Sequence, residues 1–146
     1  MHNYRDTYAL VNLQHLKDNA KYIYQKAKKP MMAIVKANAY GHGAVEFASL
    51  MEDAGADYLA VAYPVEGIEL RQGGIKSPIM VLTTGTDSFE EMINYGLEPG
   101  VPNICTLKAL CKVLEKREVK RFPVHIKMDT GMHRLGFMSD EIPELL

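Results

Sequence analysis

Apolar positions along the chain follow two alternating patterns. In the first, hydrophobic residues recur at steps of three and four, which is typical of one buried helix face, as over residues 13–27 ahead of Pro30. In the second, short continuous apolar runs have the length of buried strands. These runs occupy residues 32–36, 58–62, 79–82 and 122–128, with a weaker extended segment at 97–101 that contains Pro99.

Helical stretches separate these runs at regular intervals. They are predicted at residues 44–51, 65–71 and 87–95, the last with Asp87 or Ser88 as its N-cap, followed by a helix capped by Thr106 and one beginning near Ser139. Strands that alternate with helices about every 20–25 residues predict right-handed βαβ units and a parallel sheet. About five such units can form an open doubly wound sheet or the first part of a (β/α)8 barrel, since a whole barrel takes about 250 residues.

The balance of charge and the cysteine content narrow the classes of function. Lys plus Arg (17) nearly equal Asp plus Glu (18), so no net field favours nucleic acid or an anionic membrane. No apolar run approaches the ~20 residues that span a bilayer, and the first residues lack the layout of a signal peptide. Cys105 and Cys111 lack the spacing of a metal site, so we expect no bound metal and two reduced, half-buried thiols in a cytoplasmic protein.

Lys36 is the first candidate for chemistry. It shares one side of its predicted strand with Met32 and Ile34 and lies at the carboxyl end, where active sites of parallel sheets collect. A free lysine has a pKa near 10.4, so a nucleophilic role needs desolvation or a cationic neighbour. The alternative is a lysine that simply points into water.

The loop that follows Lys36 favours a phosphate ligand. Gly41 and Gly43 let the backbone approach a ligand closely, and Gly43 opens a helix whose N-terminus attracts anions. Tyr40 can donate its hydroxyl to a phosphate oxygen. His42 could do the same, although an isolated histidine is more often structural.

A second group of polar residues follows the late strand. His125, Lys127 and Asp129 share one strand face, which is either the inside of a barrel near its mouth or a solvent face. In the next loop, Arg134 could bind a carboxylate or phosphate, or form a surface ion pair with Asp129 or Asp140. Spacing alone leaves both interpretations open.

Two of these stretches resemble the landmarks of a known family. Residues 35–43, Val-Lys-Ala-Asn-Ala-Tyr-Gly-His-Gly, are similar to the pyridoxal-phosphate attachment signature of bacterial alanine racemases. Residues 127–137, Lys-Met-Asp-Thr-Gly-Met-His-Arg-Leu-Gly-Phe, resemble the second landmark, and residues 5–19 and 55–62 are also similar, in the same order. The resemblance implies the N-terminal part of a fold-type III enzyme, with residues 11–146 forming the first five or so units of a TIM-type barrel.

The resemblance also implies roles for individual residues. Lys36 would hold pyridoxal phosphate as an aldimine and act as a base on one face of the substrate. Tyr40 would hydrogen-bond the phosphate, and Leu82 would pack against the pyridine ring. Arg134 would bind the substrate carboxylate and orient a second catalytic group, and Lys127 would be a candidate for carbamylation.

The implied activity is interconversion of L-alanine and D-alanine, supplying D-alanine for peptidoglycan, by a homodimer. The second base, a tyrosine, would lie beyond Leu146 in a C-terminal β-domain, with which a strand at residues 1–10 would pair. We therefore expect a truncated chain, inactive alone, with unpaired strand edges that favour self-association.

Three other interpretations remain open. A serine or broad-specificity racemase of the same family would carry the same motifs, because the substrate pocket depends on other residues. A non-catalytic pyridoxal-phosphate-binding barrel is disfavoured because such proteins lack the continuation at residues 38–43. A half-barrel without a ligand would leave Lys36 solvated.

Overall fold

The chain forms a parallel sheet covered by helices on one side. The computed structural model describes residues 9–145. The elements in chain order are α1 (Leu13–Ala27), β1 (Met32–Ile34), α2 (Lys36–Gly41), α3 (Ala44–Asp53), β2 (Tyr58–Val61), α4 (Pro64–Gln72), β3 (Ile79–Val81), α5 (Phe89–Asn94), β4 (Leu97–Val101), α6 (Ile104–Lys116), β5 (His125–Ile126) and α7 (Ile142–Leu145).

The five strands pair in sequential order, β1-β2-β3-β4-β5, and every pairing is parallel. A sheet that adds each new strand on the same side is the winding of a (β/α) barrel, whereas a doubly wound sheet reverses its direction. The prediction of a TIM-type barrel, here its first five units, is confirmed. The barrel is not closed within the described residues, so β1 and β5 are the edges of the sheet.

The register divides the sheet into two faces. Residues paired in parallel register lie on the same side, so Leu59, Ile79 and Leu97 share the face that meets the helices. All three are fully buried and belong to the main hydrophobic core. On the other, concave face Met32 and Ile34 of β1 are 39% and 37% exposed, because β1 is an edge strand whose single neighbour among the described residues is β2.

Three polar side chains meet on the concave face near the amino ends of the strands. His125 Nε2 of β5 lies 2.7 Å from Glu98 Oε2 of β4. The rings of His125 and of Tyr58 in β2 make an edge contact, with centroids 5.6 Å apart. Burial, followed by a hydrogen bond to Glu98, raises the pKa of Tyr58. The expected polar face that includes His125 is therefore the inside of the sheet.

Several predicted boundaries are wrong. The first strand ends at Ile34, two residues early, because the backbone from Ala37 onward is left-handed. Thr106 is not the cap of α6. Asn103 has that role, since its Oδ1 accepts a hydrogen bond from the Thr106 N–H at 2.9 Å.

The relative lengths of the last two strands also differ from the prediction. β4, predicted as the weaker segment, is buried along its whole length, while β5 comprises only two residues. Ser88 occupies the N-cap position of α5, but its hydroxyl donates to the Gly85 carbonyl instead of capping the helix. Cys105 and Cys111 are exposed, so the expectation of half-buried thiols was wrong.

Candidate active site

The backbone after Lys36 forms a left-handed turn. Residues 37–40 all have φ between 50° and 55° and ψ between 34° and 52°. Left-handed backbone costs roughly 1–2 kcal/mol per residue for side chains other than glycine, so four in succession need support from their surroundings. Three backbone bonds close the turn, from the Ala39 N–H to the Val35 carbonyl at 2.9 Å, from the Gly43 N–H to the Asn38 carbonyl at 3.1 Å and from the His42 N–H to the Ala39 carbonyl at 3.1 Å.

Side chains hold this turn from both ends. Asn38 Oδ1 accepts a hydrogen bond from the Ala44 N–H, at the start of α3, at 2.7 Å. Glu66, on the first turn of α4, accepts one from the Ala37 N–H through Oε1 at 2.6 Å. Its other oxygen accepts the N–H groups of Ala62 and Tyr63 at 2.7 and 2.9 Å. The turn is therefore fastened to α3 and to the exit of β2.

Lys36 faces a cavity at the carboxyl ends of the strands. The cavity measures about 140 Å³ and is lined by Lys36, Ala62, Leu82, Thr83, Lys127, Arg134 and Leu135. Four predicted site residues, from the segments after β1, β3 and β5, therefore meet here. Three lining side chains are cationic and none is a carboxylate, so the cavity suits an anion.

A returning loop brings Arg134 to this cavity. The Phe137 N–H donates to the Lys127 carbonyl at 2.8 Å, and the Asp129 N–H donates to the Phe137 carbonyl at 2.9 Å. Phe137 is fully buried, which fixes the end of the loop. Gly136 has a φ of +131°, and a Cβ there would lie 2.6 Å from Asp129 N, so this return admits only glycine.

The carboxylate of Asp129 organises the inside of the loop. Its Oδ1 accepts the N–H groups of Gly131 and His133, both at 3.0 Å. These backbone hydrogen bonds lower the pKa of Asp129. His133 Nδ1 lies 3.2 Å from the other oxygen. Both carboxylate oxygens of Asp129 are thus occupied by contacts within the loop, and Asp129 does not pair with Arg134.

Arg134 keeps its guanidinium available at the cavity. It donates to Met132 Sδ from Nε at 3.1 Å and from Nη2 at 2.9 Å. Among residues 9–145 it makes no salt bridge, so the surface ion pair with Asp129 or Asp140 is absent there. A sulfur atom is a weak acceptor, which leaves the guanidinium able to bind an anion.

Two predicted phosphate ligands lie apart from the cavity. Tyr40, on the left-handed turn, is 62% exposed and does not line it. His42 Nδ1 lies 2.8 Å from the Ala39 carbonyl oxygen, and its ring lies 6.0 Å from that of Phe47. The structural interpretation of His42 is therefore the better one.

Sequence reasoning missed Glu66, Ala62, Thr83 and Leu135. The segment from Tyr63 to Glu66 carries a helix-start signal, a proline at the first helical position and a glutamate two residues later. That signal predicts the cap on Tyr63 but not the bond to Ala37. Within residues 9–145 there is no helix long and apolar enough to cross a membrane, and no cluster of three or more potential metal ligands.

Comparison with known proteins gives a consistent result. Residues 11–146 match the family model described as "Alanine racemase, N-terminal domain". An alanine racemase of Clostridium kluyveri is 43% identical over 139 residues, which cover 94% of this chain and 35% of the relative. One of Methanococcus maripaludis is 39% identical, over 92% of this chain and 36% of the relative.

Solved structures show the same correspondence. An alanine racemase of Clostridium difficile superposes with a TM-score of 0.81 at 36% identity, covering 92% of this chain and 36% of that one. That of Corynebacterium glutamicum gives a TM-score of 0.84 at 30% identity, covering 91% and 39%. The chain thus spans somewhat more than a third of the length of these relatives.

Proposed function

Because the chain belongs to the alanine racemase family, through that family's N-terminal domain, we propose that it binds pyridoxal phosphate at Lys36 and contributes to the interconversion of L-alanine and D-alanine. The observation that carries the proposal is the cavity that joins Lys36, Leu82, Lys127 and Arg134. These side chains come from three separate βα units, so their meeting at one point is a property of the fold and not of a local motif.

The residues present fit the cofactor. Lys36 supplies a primary amine at a strand end, as attachment of an aldehyde requires. Two further cations, Lys127 and Arg134, line the same cavity and suit the anionic groups of the cofactor and of an amino acid. Leu82 supplies an apolar surface for a ring. Tyr40, exposed four residues after Lys36, is proposed to donate its hydroxyl to the phosphate.

The chain's own groups then have distinct tasks. When bound, pyridoxal phosphate withdraws negative charge from the α-carbon of an amino acid. Lys36 Nζ takes or returns the α-proton on one face of the substrate. The guanidinium of Arg134, which makes no ion pair among the described residues, binds the substrate carboxylate.

Lys127 is proposed to be carbamylated. The cavity holds three cationic side chains and no carboxylate among its lining residues. The Lys127 ammonium first loses a proton, and its neutral Nζ then forms a bond to the carbon of carbon dioxide and releases a second proton to water. The resulting carbamate replaces one positive charge with a negative one and gives Arg134 an anionic partner. Intact mass measured at neutral pH and after acidification tests this, because the carbamate is lost in acid.

Other parts of the proposal rest on the family. Racemisation needs an acid/base group on the opposite face as well. We assign it to a tyrosine of a C-terminal β-domain in a homodimer, acting in the cytoplasm to supply D-alanine for peptidoglycan. The strand predicted at residues 1–10, which would pair with that domain, lies almost wholly outside the described residues. The 146-residue chain alone is expected not to racemise alanine.

Trapping of the cofactor tests the proposal directly. The chain is mixed with pyridoxal phosphate and reduced with borohydride, and the modified lysine is mapped by mass spectrometry. The label is expected on Lys36 and should be lost in Lys36→Ala. It should be retained in Lys112→Ala, the control variant, because Lys112 occupies an exposed position of α6. Equal labelling of all lysines would refute the assignment of Lys36. Assay of samples that have not been reduced, with L-alanine and with L-serine, tests the expected lack of turnover.

A further inference from the structure

The position of Lys36 depends on a strained backbone that begins at the next residue. The left-handed turn of residues 37–40 sets the direction in which the chain leaves β1 and therefore where the Lys36 side chain starts. Its internal backbone bonds close the turn, and its connection to the sheet through backbone runs by way of Val35, whose N–H donates to the Ala60 carbonyl of β2 at 2.8 Å. A side-chain contact from the exit of the neighbouring strand further fixes the first residue of the turn.

Glu66 supplies that contact. Its Oε1 accepts the Ala37 N–H at 2.6 Å, across 29 positions of sequence. Its Oε2 accepts the N–H groups of Ala62, which lines the cavity, and of Tyr63. One carboxylate therefore joins the exits of two neighbouring strands, directly beside the lysine.

Capping of α4 does not account for this arrangement. The part of a capping box that a glutamate at this position supplies is the acceptor for the Tyr63 N–H, and Oε2 provides it. The bond to Ala37 uses the other oxygen and stabilises no part of α4. It instead gives the first residue of the strained turn a fixed, charged acceptor, which is stronger than a neutral one.

We propose that Glu66 is a positioning residue for Lys36, holding the left-handed turn so that the lysine amine faces the cavity between Leu82 and Arg134. This role rests on the proposed function of Lys36 and deepens it. Glu66 touches no reacting atom and acts through the backbone of Ala37.

The variant Glu66→Gln separates the two tasks of the carboxylate. The single amide oxygen can still accept the Ala62 and Tyr63 N–H groups, which keeps the cap. The amide nitrogen then faces the Ala37 N–H, donor against donor, and that bond is lost. Glu69→Gln is the matched control, because Glu69 is exposed on the same helix and the change in charge is identical.

Two measurements on each variant decide the proposal. Hydrogen exchange at the Ala37 amide, without cofactor, is expected to speed up about tenfold in Glu66→Gln, while α4 keeps its protection. The fraction of borohydride-trapped cofactor on Lys36 is expected to fall about tenfold. Glu69→Gln should match the unaltered chain in both. If exchange or trapping is unchanged in Glu66→Gln, the positioning role is overturned.

The role of Glu66 can be tested even if the unaltered chain does not trap cofactor on Lys36. That result contradicts the proposed function, and the test of Glu66 passes to trace acetylation of the cofactor-free chain. The reactivity of Lys36 relative to exposed Lys112 is then expected to move toward unity in Glu66→Gln only. An unchanged ratio in Glu66→Gln overturns the positioning role independently of the cofactor.

Discussion

Replacement of Gly136 by alanine should destabilise the loop that carries Arg134. A Cβ at this position would lie 2.6 Å from Asp129 N, 2.8 Å from Met128 C and 2.9 Å from Lys127 O, all backbone atoms. None of these can move without breaking the pairing between Phe137 and the end of β5. We expect a cost of roughly 1 kcal/mol for the positive φ, and a further 1–3 kcal/mol for the clash.

Gly131→Ala separates these two contributions. Gly131 lies in the same loop with nearly the same φ, +134° against +131°, but a Cβ there would meet nothing within 4 Å. Both variants therefore share the conformational cost, and only Gly136→Ala adds the clash. Urea denaturation of the three chains should place Gly136→Ala about 1–3 kcal/mol below Gly131→Ala, with similar m-values.

Equal free energies of unfolding for the two variants would refute this reasoning. Such a result would mean that the backbone near Phe137 shifts to accommodate the new Cβ without loss of stability. The end of the loop would then not be fixed. Hydrogen exchange at the Asp129 amide gives an independent check, because its bond to the Phe137 carbonyl should be lost in Gly136→Ala alone.

Three further predictions follow from named contacts. Asn103→Ala should lower the free energy of unfolding by about 1 kcal/mol, measured by urea denaturation, whereas Thr106→Val, which keeps the side-chain volume and loses no cap bond, should cost less. The pKa of Asp129 is lowered by backbone hydrogen bonds, so its contribution to stability is complete above its ordinary value near 3.8 and is lost as the pH falls through the lower folded value. Asp129→Asn should therefore show a smaller loss of stability between pH 5 and pH 2 than the unaltered chain; an equal loss would contradict the assignment. The pKa of Tyr58 is raised by burial and by Glu98, so Glu98→Gln should move it part of the way back toward 10, measured by ultraviolet titration against Tyr58→Phe.

The fold and the main members of the site could be predicted from sequence for a common reason. In a parallel sheet the carboxyl ends of all strands lie at one edge, so Lys36, Leu82 and Lys127, each at or after a strand end, had to converge. The apolar pattern of the strands fixed their spacing along the chain. The resemblance of residues 35–43 and 127–137 to family motifs then indicated which chemistry these converging residues could carry out.

The local backbone at the site could not be predicted in the same way. Glycine is the usual indicator of left-handed backbone, but the turn consists of Ala37, Asn38, Ala39 and Tyr40, of which only the asparagine tolerates it readily. Tyr40 consequently lies on the exposed side of the turn. Glu66 was missed because its bond to Ala37 is a tertiary contact, which no local pattern encodes.

The lengths of the late strands were misjudged because local propensity and tertiary burial disagree there. Pro99 argues against a central strand, yet β4 lies between β3 and β5 and is buried throughout. β5 has the stronger apolar sequence but lies at an edge, with one neighbour in the sheet among the described residues. Position in the sheet, rather than sequence preference, decides how many residues of each segment pair as a strand.

The contact between Tyr58 and His125 crosses the concave face of the sheet, from β2 to β5. Three strand spacings separate β2 from β5, which is roughly 14 Å in a flat sheet, whereas the two ring centroids are 5.6 Å apart. The sheet curls toward this concave face, and the two side chains lean toward each other inside the curve. A side-chain contact that spans β2 to β5 is thus made within the first five strands, without any closing strand.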